Sequence, residues 1–168
     1  MSQKVFIISD THFSHNNVIT YENRPFKDTN EMDEYMIKKW NDVVSENDLV
    51  FHLGDVSISG AKKSEEVLKQ LNGRKILILG NHDRLTKTKW RKLGFEPHGH
   101  YLYKDFLLTH IPVDEIPLKV AVEEGFLKGN IHGHTHSNNQ HLPRELYKCC
   151  CVELIAYTPV LFDEFVSI

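Results

Sequence analysis

The chain has 168 residues, of which 40% are apolar and 26% charged, and its formal net charge is -3. That is the composition of an ordinary globular protein long enough to bury a sizeable core, so residues 1–168 are expected to form one domain. The slight acidity gives no electrostatic footprint for tight non-specific binding to nucleic acid or a membrane surface, and no apolar run approaches the roughly 18 residues that span a bilayer.

The chain opens with "KVFIISD", a β-branched apolar run that reads as a buried strand and meets Asp10 and Thr11 too soon for a signal peptide. A cytoplasmic location is therefore expected. Residues 29–45 read as a helix, because Met32, Met36, Trp40 and Val43/Val44 recur at three-to-four spacing behind Thr29 or Asn30 as a cap. "DLVFHLGD" is a second buried strand. "SEEVLKQLNG" is a short helix with Ser64 as N-cap and Gly73 at its end. "KILILG" is a third strand, and residues 86–93 form another short helix before Gly94. The pattern then shifts: "HYLYKDFLLTH" reads as a hairpin turning at Lys104-Asp105, and "KGNIHGHTH" and "CCVELIAYTPV" as further strands. Strand and helix alternate in the first half and strands dominate the second. The expected class is α/β, a layered fold of mixed β-sheet with helices on the outer faces.

The three cysteines, Cys149, Cys150 and Cys151, are consecutive, which suits reduced thiols filling a strand and not a disulfide framework or a three-thiolate metal site. Eleven histidines are the unusual number. His132, His134 and His136 alternate, and in an extended segment they would share one face.

Each apolar strand ends in polar residues that are costly to bury unless they serve a purpose. They are Asp10-Thr11-His12, Gly54-Asp55, Gly80-Asn81-His82-Asp83, Thr109-His110 and Gly133-His134-Thr135-His136. In open α/β sheets, sites form beyond the carboxyl ends of the strands. The ordered series "SDTH", "GD", "GNHD", a lone His and "GHTH" resembles the calcineurin-like metallophosphoesterase family. The opening "SDTHFSHNN", "RPF" and a following Trp further resemble a compact bacterial and phage branch of small phosphoesterases. Each motif is weak alone; their order and positions after apolar strands make the set specific.

The resemblance implies two divalent metal ions: Asp10, His12 and His136 on one, Asn81, His110 and His134 on the other, and Asp55 bridging. It implies attack by a metal-bridging hydroxide, with His82 protonating the leaving group and Asp83 orienting His82. Two such ions lower the pKa of a bound water toward neutrality and stabilise both oxygens of an in-line displacement. An imidazole is suited to supply the proton. Oxygen and nitrogen donors without thiolate suit Mn, Fe, Ni, Co or Zn better than Ca or Mg, and manganese is the first choice.

His15 is expected at the rim as a substrate-binding residue, and Arg24 as a bidentate phosphate ligand, although a surface arginine before a turn proline is an equal reading. His52 suits a hydrogen-bonded core histidine, and His132 a supporting position and not a ligand. Many family members carry a second acid three residues after Asp55; here that position is Ile58. The implied activity is phosphate-ester hydrolysis, most readily of diesters such as cyclic nucleotides or nucleic-acid ends, because no insertion is long enough for a cap. A phosphomonoesterase or phosphoprotein phosphatase, and a non-catalytic binding scaffold with the same fold, are the rivals. The scaffold fits less well because His82 and every ligand position are filled.

Overall fold

A computed structural model describes residues 2–57 and 61–168, with only the backbone of 61–64. The elements run β1 (Val5–Ile8), α1 (Asn16–Tyr21), α2 (Thr29–Val43), β2 (Leu49–His52), α3 (Ala61–Leu68), β3 (Arg74–Ile78), α4 (Lys87–Lys92) and β4 (Phe95–His98). Then follow β5 (Tyr101–Tyr103), β6 (Phe106–Leu108), α5 (Glu115–Glu123), β7 (Gly129–His132), β8 (Tyr147–Cys149), β9 (Val160–Leu161) and α6 (Phe162–Ser167).

Two mixed sheets result. One has the order β4-β3-β2-β1-β9, parallel except for β9; the other has the order β5-β6-β7-β8, parallel except for the β5–β6 hairpin. The two-residue period of the strands explains the layers. Phe6, Ile8, Val50 and Leu77 point to one face of the first sheet, against Met32, Met36 and Trp40 of α2, Leu68 of α3 and Trp90 of α4. Their neighbours Ile7, Phe51, Ile76 and Ile78 point to the other face, against Phe106, Leu108 and Ile131 of the second sheet and Phe162 of α6. Leu118 of α5 packs with Leu146 and Tyr147 in a smaller cluster. The layered α/β expectation holds, with two sheets sharing a core.

Several local readings need correction. The α2 cap is Asp28, whose side chain accepts from the Glu31 backbone N–H, one residue before the expected Thr29. Ser64 lies within α3 and not at its start. The segment "CCVELIAYTPV" is not a strand. It holds a 3-10 turn, Val152–Leu154, with Ala156 and Tyr157 at positive φ, and strands lie on either side of it. Helix α5 went unread because Pro117 interrupts the pattern; the residue falls in the first turn, where its missing N–H breaks no helical bond. The hairpin turn at Lys104-Asp105 is as expected, with both residues at positive φ in the manner of a type I′ turn.

Candidate metal centre

The carboxyl ends of β1, β2, β3 and β7 deliver chemistry-bearing residues into one cavity of about 510 Å³, and His110 after β6 touches Asn81 of its lining. His12, Asp55, Asn81, His82, His134 and His136 line it, with Val18, Tyr21, Arg84 and Leu85 also in its walls.

Asp10 is fully buried. Its Oδ2 accepts from the Ser9 hydroxyl, the His134 backbone N–H at 2.9 Å and the Cys151 thiol at 3.2 Å. Its Oδ1 has no hydrogen-bond partner, and neither has His12 Nε2, 3.8 Å away. His136 Nε2 lies 3.6 Å from the same Oδ1, and Asp55 Oδ2 lies 3.7 Å from His12 Nε2. These atoms are too far apart to hydrogen bond, and an unpaired buried carboxylate oxygen beside an unpaired imidazole nitrogen is costly. A cation between them removes that cost, so the donor set fits a metal.

Asp55 connects this group to a second. Its Oδ1 accepts from the His82 backbone N–H at 2.9 Å, while its Oδ2 also lies 3.4 Å from His110 Nε2. His110 Nδ1 donates to the Leu53 carbonyl at 2.7 Å, and its Nε2 lies 3.0 Å from Asn81 Oδ1. Asp55, His110 and His134 form one compact donor group; Asp10, His12 and Asp55 form another, and Asp10, His136 and Cys151 a third that overlaps it. The seven residues expected as ligands thus meet in one place, with Cys151 touching Asp10 behind them.

The charges reinforce one another. Burial opposes ionisation of Asp10, but the nearby imidazoles of His12, His110 and His136 outweigh it and hold the carboxyl below its ordinary range. Burial likewise opposes ionisation of Asp55, and His110 overrides it. Burial works against the charge of His110 too, yet the two aspartates raise it to about 9. His15 lies at the cavity with Nδ1 3.4 Å from His12 Nδ1, and burial together with the imidazoles of His12 and His82 pushes it down to about 4.

Two residues differ from expectation. Arg24 does not face the cavity. It is 4% exposed, and its guanidinium binds Glu153 at 2.6 and 2.9 Å and the carbonyls of Thr11 and Asp10 at 2.8 Å each. It holds the first motif in shape and has no donor free for phosphate. Among the arginines, Arg84 lines the cavity. Asp83 does not orient His82. Its carboxylate accepts the backbone N–H groups of Gly80 and Asp55 at 2.8 Å and of Val56 at 2.9 Å, tying two strand-end loops together. Burial raises its pKa against those bonds.

The alternation of the three histidines also breaks. β7 ends at His132, which is buried and hydrogen bonds the Gly133 carbonyl through Nδ1 at 2.8 Å, whereas His134 and His136 turn into the cavity at positive φ. Gly133 permits this: a Cβ there would run into the side chains of Ser9 and Asp10. His52 is a core histidine, with Thr11 Oγ1 3.0 Å from Nε2 and the Gly54 N–H donated to Nδ1 at 3.2 Å.

Sequence reasoning missed Glu153. Its Oε2 lies 3.1 Å from His136 Nδ1, leaving His136 Nε2 to face the cavity, and its other oxygen carries Arg24. Burial disfavours charge on His136, but Glu153 overrides it and raises the imidazole pKa. Carboxylates behind ligating histidines serve this purpose in metal sites.

Apposed carboxylates and imidazoles at the strand ends of a two-sheet α/β sandwich define a metal-dependent hydrolase class. Residues 3–145 match the calcineurin-like phosphoesterase superfamily domain, and the chain belongs to that family. It is 39% identical over 175 residues to the uncharacterized protein MJ1445 of Methanocaldococcus jannaschii, covering 99% of this chain and 91% of that protein. The structure of AQ665, a protein of unknown function from Aquifex aeolicus, superposes with a TM-score of 0.71 at 25% identity over 99% of both chains. Pseudomonas putida nuclease MPE shares the fold with a TM-score of 0.53 at 20% identity, over 79% of this chain and 61% of that one. The family depends on metal. Among the described residues, no helix is long and apolar enough to cross a membrane.

Proposed function

We propose that this chain hydrolyses phosphate esters, diesters in preference to monoesters, with two divalent cations, manganese first among the candidates. Asp10, His12 and His136 would hold one, Asn81, His110 and His134 the other, and Asp55 would contact both. Two such cations would supply Lewis-acid charge for a phosphoryl group and lower the pKa of water. The observation that carries this reading is the pair of unpartnered buried atoms, Asp10 Oδ1 and His12 Nε2, facing Asp55 and His136.

The protein's own residues divide the remaining work. His82 stands at the cavity with its side chain 39% exposed and Nε2 4.0 Å from Asp55 Oδ2, and in this reading it would give a proton to a departing alkoxide. Its position is set by its backbone N–H on Asp55 Oδ1. Arg84 and His15 line the wall, where they would meet the non-reacting part of a substrate. The cavity is open to solvent with no covering segment among the described residues, which suits a diester carrying groups on both sides. Cyclic nucleotides and nucleic-acid ends fit that description.

The test is hydrolysis of bis(p-nitrophenyl) phosphate beside p-nitrophenyl phosphate by metal-stripped protein, with Mn²⁺ added back. Metal-dependent turnover favouring the diester is the expected result. Preference for the monoester would make it a phosphatase. No turnover of either, with two metals bound per chain, would make it a binding scaffold.

A further inference from the structure

A second cavity, of about 660 Å³, shares no lining residue with the metal centre. Its size is that of a small-molecule site. Leu142, Leu154, Ile155, Val160 and Phe165 supply an apolar wall between the segment that follows β7 and the C-terminal helix α6. Arg144 and Lys148 also line it, and among the described residues neither has a carboxylate within ion-pair distance. Glu164 is the one acidic side chain in the lining.

His132 makes this more than a surface dent. It is 1% exposed and belongs to the lining, and its Nδ1 donates to the Gly133 carbonyl at 2.8 Å. That bond fixes the tautomer and leaves Nε2 with a lone pair, and Nε2 is buried without a partner. A buried acceptor left unsatisfied is costly, and natural folds keep few of them without a use. The apolar wall and the unpaired cations are complementary demands on one ligand.

We propose that this cavity binds a small amphipathic anion: an aromatic or aliphatic body for the apolar wall and one acidic head for Arg144 and Lys148. The proposal is independent of the reaction at the metal centre, since no residue of that centre takes part.

The probe is 1-anilinonaphthalene-8-sulfonate, which carries two aromatic ring systems, one sulfonate and one N–H. Its fluorescence is titrated on the intact metal-loaded protein. The Arg144→Glu/Lys148→Glu variant reverses both cations, and Ile155→Trp fills the cavity. Phe126→Glu is the control, because Phe126 is an exposed apolar side chain outside the cavity, 74% accessible, that would also attract the dye. Expected are one saturable site per chain, at least tenfold weaker binding in the double charge reversal and in Ile155→Trp, and unchanged binding in Phe126→Glu. Thermal melts accompany each variant, and if the double variant does not fold, the single Lys148→Glu and the filled-cavity variant decide. Absence of saturable binding, equal binding by all cavity variants, or loss confined to Phe126→Glu would overturn the proposal.

Discussion

Replacing Arg24 by Ala separates the two roles an arginine before a turn proline can play. In the structure its guanidinium is buried with Glu153, their side chains 0% and 8% exposed, at 2.6 and 2.9 Å, and it also donates to two strand-end carbonyls. Removing one partner of a buried ion pair costs about 3–5 kcal/mol, because the other charge is left without compensation. Each carbonyl that loses a charged donor adds to that unless water enters. A loss of about 4 kcal/mol would lower the melting temperature by roughly 10 °C for a chain of this size, out of a total stability of about 5–15 kcal/mol. The assay is urea unfolding followed by circular dichroism, with the change taken from the midpoint at constant slope. The milder Arg24→Lys keeps the charge but not the fork, and at low temperature, where it remains folded, its KM for an ester substrate should match that of the parent. If Arg24→Ala were within about 1 kcal/mol of the parent while KM rose tenfold, the guanidinium would be a phosphate clamp and the packing argument would fail.

Three further outcomes are expected. Glu153→Gln should weaken metal binding by about 10–100-fold, since it removes the charge behind His136 but keeps a side chain of the same shape, and it should also cost stability because buried Arg24 loses its carboxylate; calorimetric titration with Mn²⁺ at low temperature, where the variant is folded, reads the first effect. His82→Ala should bind the same number of metal ions per chain as the parent and lose roughly 10²–10⁴-fold in kcat, and full turnover in that variant would remove His82 as the proton donor. The third concerns pH. Burial pushes His52 down to about 3 from an ordinary value of 6.5, so between those limits the unfolded chain binds the extra proton and stability falls as pH falls. At about 1.4 kcal/mol per pH unit, His52 should cost about 2 kcal/mol between pH 6.5 and 5. Urea midpoints across that range should therefore fall less steeply in His52→Gln than in the parent; parallel curves would show that His52 is not held neutral.

What could be read directly from the residues was the set of strand ends. β1, β2 and β3 announce themselves as apolar runs, and the polar residues after each stand out against them. Contacts between distant segments were not readable. Glu153 sits in "CCVELIAY", an apolar context that suggested a strand, and its partner Arg24 lies 129 residues away. Neither residue carries a local signal for the other. Asp83 shows the opposite error, in which adjacency to His82 suggested a contact, while the loop turns its carboxylate toward the backbone of Gly80, Asp55 and Val56. The histidine alternation misled for a related reason: the period of two ends where the strand ends, and the residues that matter lie just past it.

That position past the strand end explains why the supports are so heavily built. Asp10, His12, Asp55, His134 and His136 all have positive φ, between 47° and 67°. Residues other than glycine held there cost of order 1–3 kcal/mol each, so five of them together rival the stability of a whole domain. The left-handed turns aim neighbouring side chains into one cavity, where an extended chain would send alternate ones to opposite faces. They persist because buried charged groups grip the backbone on both sides: Arg24 on the carbonyls of Asp10 and Thr11, Asp83 on the N–H groups of Asp55 and Val56, and Asp10 itself on the N–H of His134. Asp10 holds His134 across 124 residues and Arg24 carries Glu153 across 129, so that part of the geometry exists only once both halves of the chain have folded.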